Sequence, residues 1–545
     1  MPLPARTPET QRNSALAHAR LSQVQGQLGK ANEAKSLWQT AKKSLADVRS
    51  AGDQSDDTRI ALARVGVAEV SDDINCGDFI AASQAAEDAL AELAPVLAKA
   101  DPSQIATWTD ASLRASLGFA LSRRELPERA IEQFTKARKT AVAVGALDLS
   151  NLVATSGYLM AGWTLGQALA TIGKPNEAIP ILQETAKLAD QLLYKRPGHR
   201  AALRGKGNAV SQLAQIEQSN LNWAGAMSYS REAQRSNATV TALDPGNSTS
   251  QNNLRLVKVE VARSLYETGR VAEWRAAMQA ALVIDKTEKL TGFSIVNLID
   301  WHTDYARSLA QAGKSEGAEA ELRIAGQYLK QFFAVSNDKI ARLELEAHVA
   351  SNRARVDMVN GNLDNVEPVL AKHIAIWQAR MSELGKDAPT GTDRFLALLY
   401  DTAVQALLLK GDYANAASYA QKTLQERQKG NSPTLAEQRD ISVARAHLAL
   451  ALARSGKQVD AANAIKPALA FYQLPAVQKS DGVLLKGDHA EALLAAALAS
   501  PNATDKKALL AQALQRFDAM PAEAKALKDY AQIRADIVGE QRKKS

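Results

Sequence analysis

Few side chains in this 545-residue chain stand at the spacing that chemistry would require. Gly313-Lys314-Ser315 matches the end of a phosphate-binding loop, but Ser308 occupies the place of the motif's first glycine. The motif also follows a strand, whereas Tyr305 to Gln311 has a helical pattern. The seven histidines (His18, His199, His302, His348, His373, His447 and His489) never pair at i, i+4, so a helical zinc motif is absent. Each reads as a surface or partly buried residue. The single cysteine, Cys76, excludes an intrachain disulfide and a thiolate metal cluster. It reads as a small apolar helix residue, with a redox-sensing thiol as the alternative. No Gly-x-Ser-x-Gly elbow occurs. Without a convergent acid, base, nucleophile or metal set, the expectation is a non-catalytic chain with no cofactor.

The elements that would position any site are set by a repeat. Ala34, Ala82, Ala130, Ala178 and Ala226 are 48 residues apart. Five residues before each stands a turn residue: Gly29, Gly77, Glu125, Gly173 and Leu221, followed in the same register by Gly269. The pattern continues less regularly through Gly313, Gly361, Gly411 and Gly456, and a weaker pair runs from about Asp488 to Phe517. In Leu169 to Leu182 an alanine-rich helix ends at Gly173, a polar turn follows, and a second apolar-periodic helix opens at Ala178. Glycine supplies the left-handed conformation that ends a helix without a Cβ penalty. Glu33 and Glu177 sit where a carboxylate favours the helix dipole. Trp38, Phe134, Leu182, Leu322 and Ile465 share one position of the second helix. One hairpin cannot bury both faces, but stacked neighbours can.

These residues resemble the tetratricopeptide repeat. The matches are Leu117, Gly118, Leu121, Ala130, Phe134 and Ala137 in the third unit. In the seventh they are Tyr305, Ala306, Leu309, Gly313, Ala318, Leu322 and Ala325, and in the tenth Leu448, Ala449, Leu452, Gly456, Ala461, Ile465 and Ala468. The family's usual period is about 34 residues; the period here implies longer helices and connectors, of the type found in bacterial signalling proteins. The resemblance implies an all-α fold, a right-handed α-solenoid of about eleven helical hairpins.

The resemblance also implies that first helices line a concave surface where ligands dock. Six residues before each turn residue, this surface carries Gln23, Ser71, Phe119, Gln167, Gln215, Arg263, Arg307, Arg355, Gln405 and Leu450. Four residues earlier come Trp163, Ser211, Val259, Thr303, Ser351 and Asp401. The candidate partner-binding set is therefore Trp163, Gln167, Gln215, Arg263, Arg307, Arg355 and Gln405. Arginine forks bind carboxylates bidentately, which points to an acidic protein or peptide. The alternative is arginines paired with nearby acids. The lysine and asparagine of the family's peptide-carboxylate clamp are missing at comparable positions.

A net charge of +7 is mild over this length, and nucleic acid is not expected as a partner. Nothing approaches the length of a membrane span, and no signal peptide is visible, so the chain reads as cytoplasmic. Residues 1–10 are expected to be disordered. Residues 11–290 form six regular units, 291–382 two more, 392–520 the C-terminal units, and 521–545 a terminal helix and basic tail. The eighth unit is degenerate, with Val366 in place of the alanine and Asp357 on an apolar position. Glycine- and proline-bearing connectors at 383–391 and 427–434 are the expected bends. The function implied is a scaffold binding a protein or peptide through its groove. The alternative is the sensor portion of a bacterial signalling protein whose kinase, cyclase or winged-helix part lies elsewhere. Oligomeric state is left open.

Overall fold

In a computed structural model, the structure describes residues 7–124, 126–149, 151–284, 290–336, 338–385, 393–429 and 433–543. Among them every regular element is a helix. The first six hairpins are α1 (Pro8–Gln27) with α2 (Ala31–Ser50), α3 (Asp56–Cys76) with α4 (Phe79–Leu97), α5 (Gln104–Arg123) with α6 (Pro127–Ala143), α7 (Leu152–Thr171) with α8 (Pro175–Lys195), α9 (Arg200–Ser219) with α10 (Trp223–Leu243), and α11 (Ser248–Glu267) with α12 (Val271–Leu282). Four more follow: α13 (Gly292–Gln311) with α14 (Ser315–Val335), α15 (Lys339–Val359) with α16 (Val366–Leu384), α17 (Asp393–Lys410) with α18 (Tyr413–Arg427), and α19 (Leu435–Arg454) with α20 (Gln458–Tyr472). After the short α21 (Pro475–Gln478) the last hairpin is α22 (Leu484–Ala499) with α23 (Ala503–Asp518), and α24 (Ala522–Lys525) and α25 (Lys528–Arg542) close the chain. The eleven hairpins are those the repeat arithmetic implies.

The turns behave as their residues dictate. Gly29, Gly77, Gly173, Gly269, Gly313, Gly361, Gly411 and Gly456 all have positive φ. Leu221, the fifth turn residue, adopts φ 59 as well and is alone in doing so among the described non-glycine residues. Glu125 lies outside the described residues. Inside each hairpin the two helices cross where a small residue faces a large one. A Cβ at Gly118 would stand 2.6 Å from the Phe134 ring, and one at Gly166 2.5 Å from Leu182 Cγ. Trp38, Trp223 and Trp274 are buried as their packing positions require. In the eighth unit Val366 is buried, while Asp357 accepts from Arg353 at 3.2 Å.

Apart from α9 and α11, first helices pack on the first helices of the next hairpin, so the stack curves with them on the inner side. The curve closes on itself. Asn247 Nδ2 donates to Gln27 Oε1 at 3.3 Å, joining units one and six. Gly292 lies against the Cys76 backbone, joining two and seven. Ser480 Oγ donates to the Leu221 carbonyl at 2.6 Å, and Trp223 N to Asp481 at 2.8 Å, joining five to the segment before α22.

One expectation needs correction. The N-terminus is helical from Pro8, because Thr7 accepts from the Thr10 amide and proline suits a first turn; residues 1–6 lie outside the described residues. The C-terminal segment carries the expected terminal helix, α25, and it is held against the stack. Glu523 accepts from the Ala272 amide at 2.9 Å, and Tyr530 packs against Gly487 and donates to Asp488 at 2.9 Å. The two expected bends fall largely on 386–392 and 430–432, outside the described residues.

Candidate functional site

The inner face splits into two parts. Toward the C-terminal units it carries a chain of charges. Arg355 donates to Asp401 Oδ2 at 3.1 Å and to Thr402 Oγ1 at 3.2 Å. Gln405 Nε2 donates to the same carboxylate at 3.3 Å. His447 stands between Asp401 at 3.4 Å and Glu491 at 3.5 Å. Burial opposes a charge on this imidazole, but Glu491 and Asp401 outweigh it and raise His447 to about 10. Burial likewise opposes ionisation of Asp401, yet His447 and Arg355 hold it well below the usual carboxylate range. Arg355 itself is lowered to about 10, by burial and then by its neighbour Arg307.

One hairpin earlier, His348 Nε2 lies 3.5 Å from Asp304 Oδ1. Burial would raise Asp304, but His348, Arg307 and Arg263 together hold it low. One hairpin earlier again, Glu260 is buried. Ser211 Oγ donates to it at 2.9 Å and Gln215 Nε2 at 2.7 Å. Burial still wins and raises Glu260 to about 7. The arginines at the shared repeat position are thus brought to one electrostatic cluster. Arg263 and Arg307 both act on Asp304, and Arg307 and Arg355 both act on Asp529 at the start of α25.

The three arginines are not equivalent. Arg355 is ion-paired. Arg307 is half-buried and Arg263 exposed, and neither guanidinium makes a hydrogen bond or ion pair within the described residues. Carboxylates of Asp304, Asp529 and Glu267 surround Arg307 at longer range and raise its pKa against the effect of burial. The pairing expected as the alternative therefore holds for one arginine of the three.

Toward the N-terminal units the inner face is aromatic. Trp163 is half-buried, with its ring edge-on to Phe119 at 6.5 Å. Phe119 in turn meets Phe79 at 6.3 Å and Phe293 at 6.4 Å. Gln167 and Gln215 are half-buried between this cluster and Arg263.

Sequence reasoning missed a third polar ladder. Glu260, Asp304, Thr402 and His447 each stand nine residues before their turn glycine, one step beyond the second ladder. That register was available in the repeat. His302 is buried and bonded to Glu321 at 2.5 Å, and His489 is stacked on Tyr472 with ring centroids 4.5 Å apart, so neither is a surface residue. Burial pushes the Cys76 thiol up to about 12, with Asp72 and Asp73 adding to it, which removes its thiolate reactivity. Lys314 precedes α14, and Ser315 Oγ donates to Asn360 at 2.6 Å, so that turn is spent on packing. No group of metal-ligating side chains occurs among the described residues, and no helix among them is long and apolar enough to cross a membrane.

The fold and the inner face define a tetratricopeptide-like helical-hairpin solenoid with a charged and aromatic lumen. No protein-family model matches the sequence, and no curated protein matches it. Solved structures similar to it include Rap protein complexed with competence and sporulation factor, at 10% identity over 76% of this chain and 98% of that one, with a TM-score of 0.47. Aspartyl phosphate phosphatase F from Bacillus subtilis is 11% identical over 76% and 94%, with a TM-score of 0.42. The Cut9–Hcn1 hetero-tetramer of APC/C is 13% identical over 93% and 94%, with a TM-score of 0.31.

Proposed function

We propose that this chain is a non-catalytic scaffold that binds an acidic protein or peptide along its inner face, from Trp163 through Gln167 and Gln215 to Arg263 and Arg307. The observation that carries the reading is the contrast among the arginines. Arg355 is neutralised by Asp401, while Arg263 and Arg307 make no ion pair within the described residues. A half-buried guanidinium, with an aromatic cluster further along toward the N-terminal units, suits the carboxylate and apolar groups of an extended acidic segment. Arg355 and Gln405 then hold the wall rather than the partner, because both are committed to Asp401.

The test is capture of partners from cell extract by the full chain, identification by mass spectrometry, and affinity measurement with the purified partner. Arg263→Glu combined with Arg307→Glu is expected to weaken binding about tenfold or more and to reduce its salt dependence. Unchanged affinity and unchanged salt dependence would refute the reading.

A further inference from the structure

The last helix lies across the inner face. Lys528 Nζ donates to the Val359 carbonyl at 3.2 Å, and the Asp529 amide donates to Gln311 Oε1 at 3.0 Å. Further along α25, Asp536 stands 3.8 Å from Arg454. Gln311, Val359 and Arg454 are the last residues of α13, α15 and α19. Each follows a member of the inner ladder at i+4, after Arg307, Arg355 and Leu450, and so shares its face one turn further on. α25 therefore crosses the mouth of the lumen beside Arg307 and Arg355. A helix that only capped the stack would bond to α22 and α23, as Tyr530 Oη does to the Leu484 carbonyl at 3.3 Å and Glu540 to Lys506 at 3.1 Å.

Two features give α25 the character of a bound ligand. It presents a carboxylate: Asp529 is exposed to water, yet Arg307 and Arg355 both act on it. It is also lightly held. Of its 15 residues Ile537 and Glu540 are buried, whereas α22 beneath it is buried through most of its length. A helix this short is marginal by itself, and segments with few buried apolar contacts open first. Its N-terminal end is fixed by polar bonds that a competitor can replace, Lys528 sitting at the carbonyl end of α15 where a cation is favoured. We infer that residues 521–542 form an autoinhibitory cover. α25 closes the mouth of the lumen with Asp529 where a partner's carboxylate would stand, and an acidic segment reaching Arg307 lifts the helix off. The cover rests on the inner-face reading, and the test separates the failure of one from the failure of the other.

The probe is a fluorescently labelled octaglutamate peptide, with octaglutamine as control, titrated into the full chain and followed by anisotropy. Lys528→Ala combined with Tyr530→Phe removes polar anchors of α25 at its start. That variant also loses a positive charge, so attraction between charges alone predicts weaker octaglutamate binding. Release of the cover predicts the opposite, binding about tenfold tighter than in the parent. In the parent, saturating octaglutamate is expected to speed amide exchange in α25 by about tenfold or more, read by mass spectrometry. Binding detectable only in the variant supports the cover equally. Lys528→Ala alone, at an exposed side chain, serves if the double variant does not fold. Octaglutamate that binds the parent but binds the variant no tighter, or leaves α25 exchange unchanged, would overturn the cover and leave the inner-face reading standing. Octaglutamate that binds neither chain, or no better than octaglutamine, would remove that reading and the cover with it.

Discussion

The fifth turn gives a prediction in which two terms of opposite sign compete. Leu221 holds a left-handed backbone that costs a non-glycine residue about 1–2 kcal/mol. Glycine, the residue at most equivalent turns, would relieve that strain. Yet Leu221 is 1% exposed, lies in the largest apolar cluster, and presents its carbonyl to Ser480. Truncating a buried leucine costs about 2–5 kcal/mol. Leu221→Gly is therefore expected to be net destabilising by about 1–3 kcal/mol, although it restores the repeat consensus. The control is Gly313→Ala, where φ is 73 and a Cβ would meet nothing within 4 Å. Strain alone should cost it about 1 kcal/mol. Urea unfolding followed by far-ultraviolet circular dichroism, with hydrogen exchange reporting the fifth and seventh turns separately, reads both changes. A Leu221→Gly variant more stable than the parent would refute the claim that this turn spends strain to hold a contact between distant units.

Other consequences follow from the inner face and the closed stack. Gly292→Ala would place a Cβ 2.7 Å from the Cys76 carbonyl carbon, so it should cost about 1–3 kcal/mol and expose Cys76 to thiol labelling; unchanged stability and labelling would contradict the close approach. His447 is raised to about 10 in the fold, so its contribution is fully present below its ordinary value of about 6.5 and is lost as pH rises through about 10. His447→Gln should accordingly cost roughly 3 kcal/mol near neutral pH and flatten the fall in stability above it, which urea midpoints across that window will show. Glu260 has the opposite character: an acid raised to about 7 favours its protonated form in the fold, so stability falls as pH rises from about 4.3 to about 7. Glu260→Gln should remove that slope, and a persisting slope would assign it elsewhere.

The hairpins were legible because their determinants are local and periodic. Gly118 facing Phe134 and Gly166 facing Leu182 repeat at the same interval as the turn glycines, and a helix pair can form from nothing more. The closure of the stack was not legible. It rests on ordinary residues such as Asn247, Ser480 and Gly292, whose partners lie more than two hundred residues away and leave no period in the sequence. The docking of α25 through the Asp529 amide, which donates to Gln311 Oε1 218 residues away, was hidden for the same reason. At the candidate site, the ladder of arginines and glutamines could be traced from the turns. Which arginines are neutralised could not, since that depends on Asp401, Asp304 and Asp529 converging from three different helices.

The account depends most on the stack closing far enough for units one and six to touch, since this creates the lumen that holds Arg263 and Arg307. Spin labels at Lys30 and Ala242, both exposed and near the Gln27–Asn247 contact, test it by pulsed electron-spin distance measurement. A short, narrow distance distribution that persists on dilution is predicted. A broad, long distribution, as an open ribbon of hairpins would give, would contradict the account.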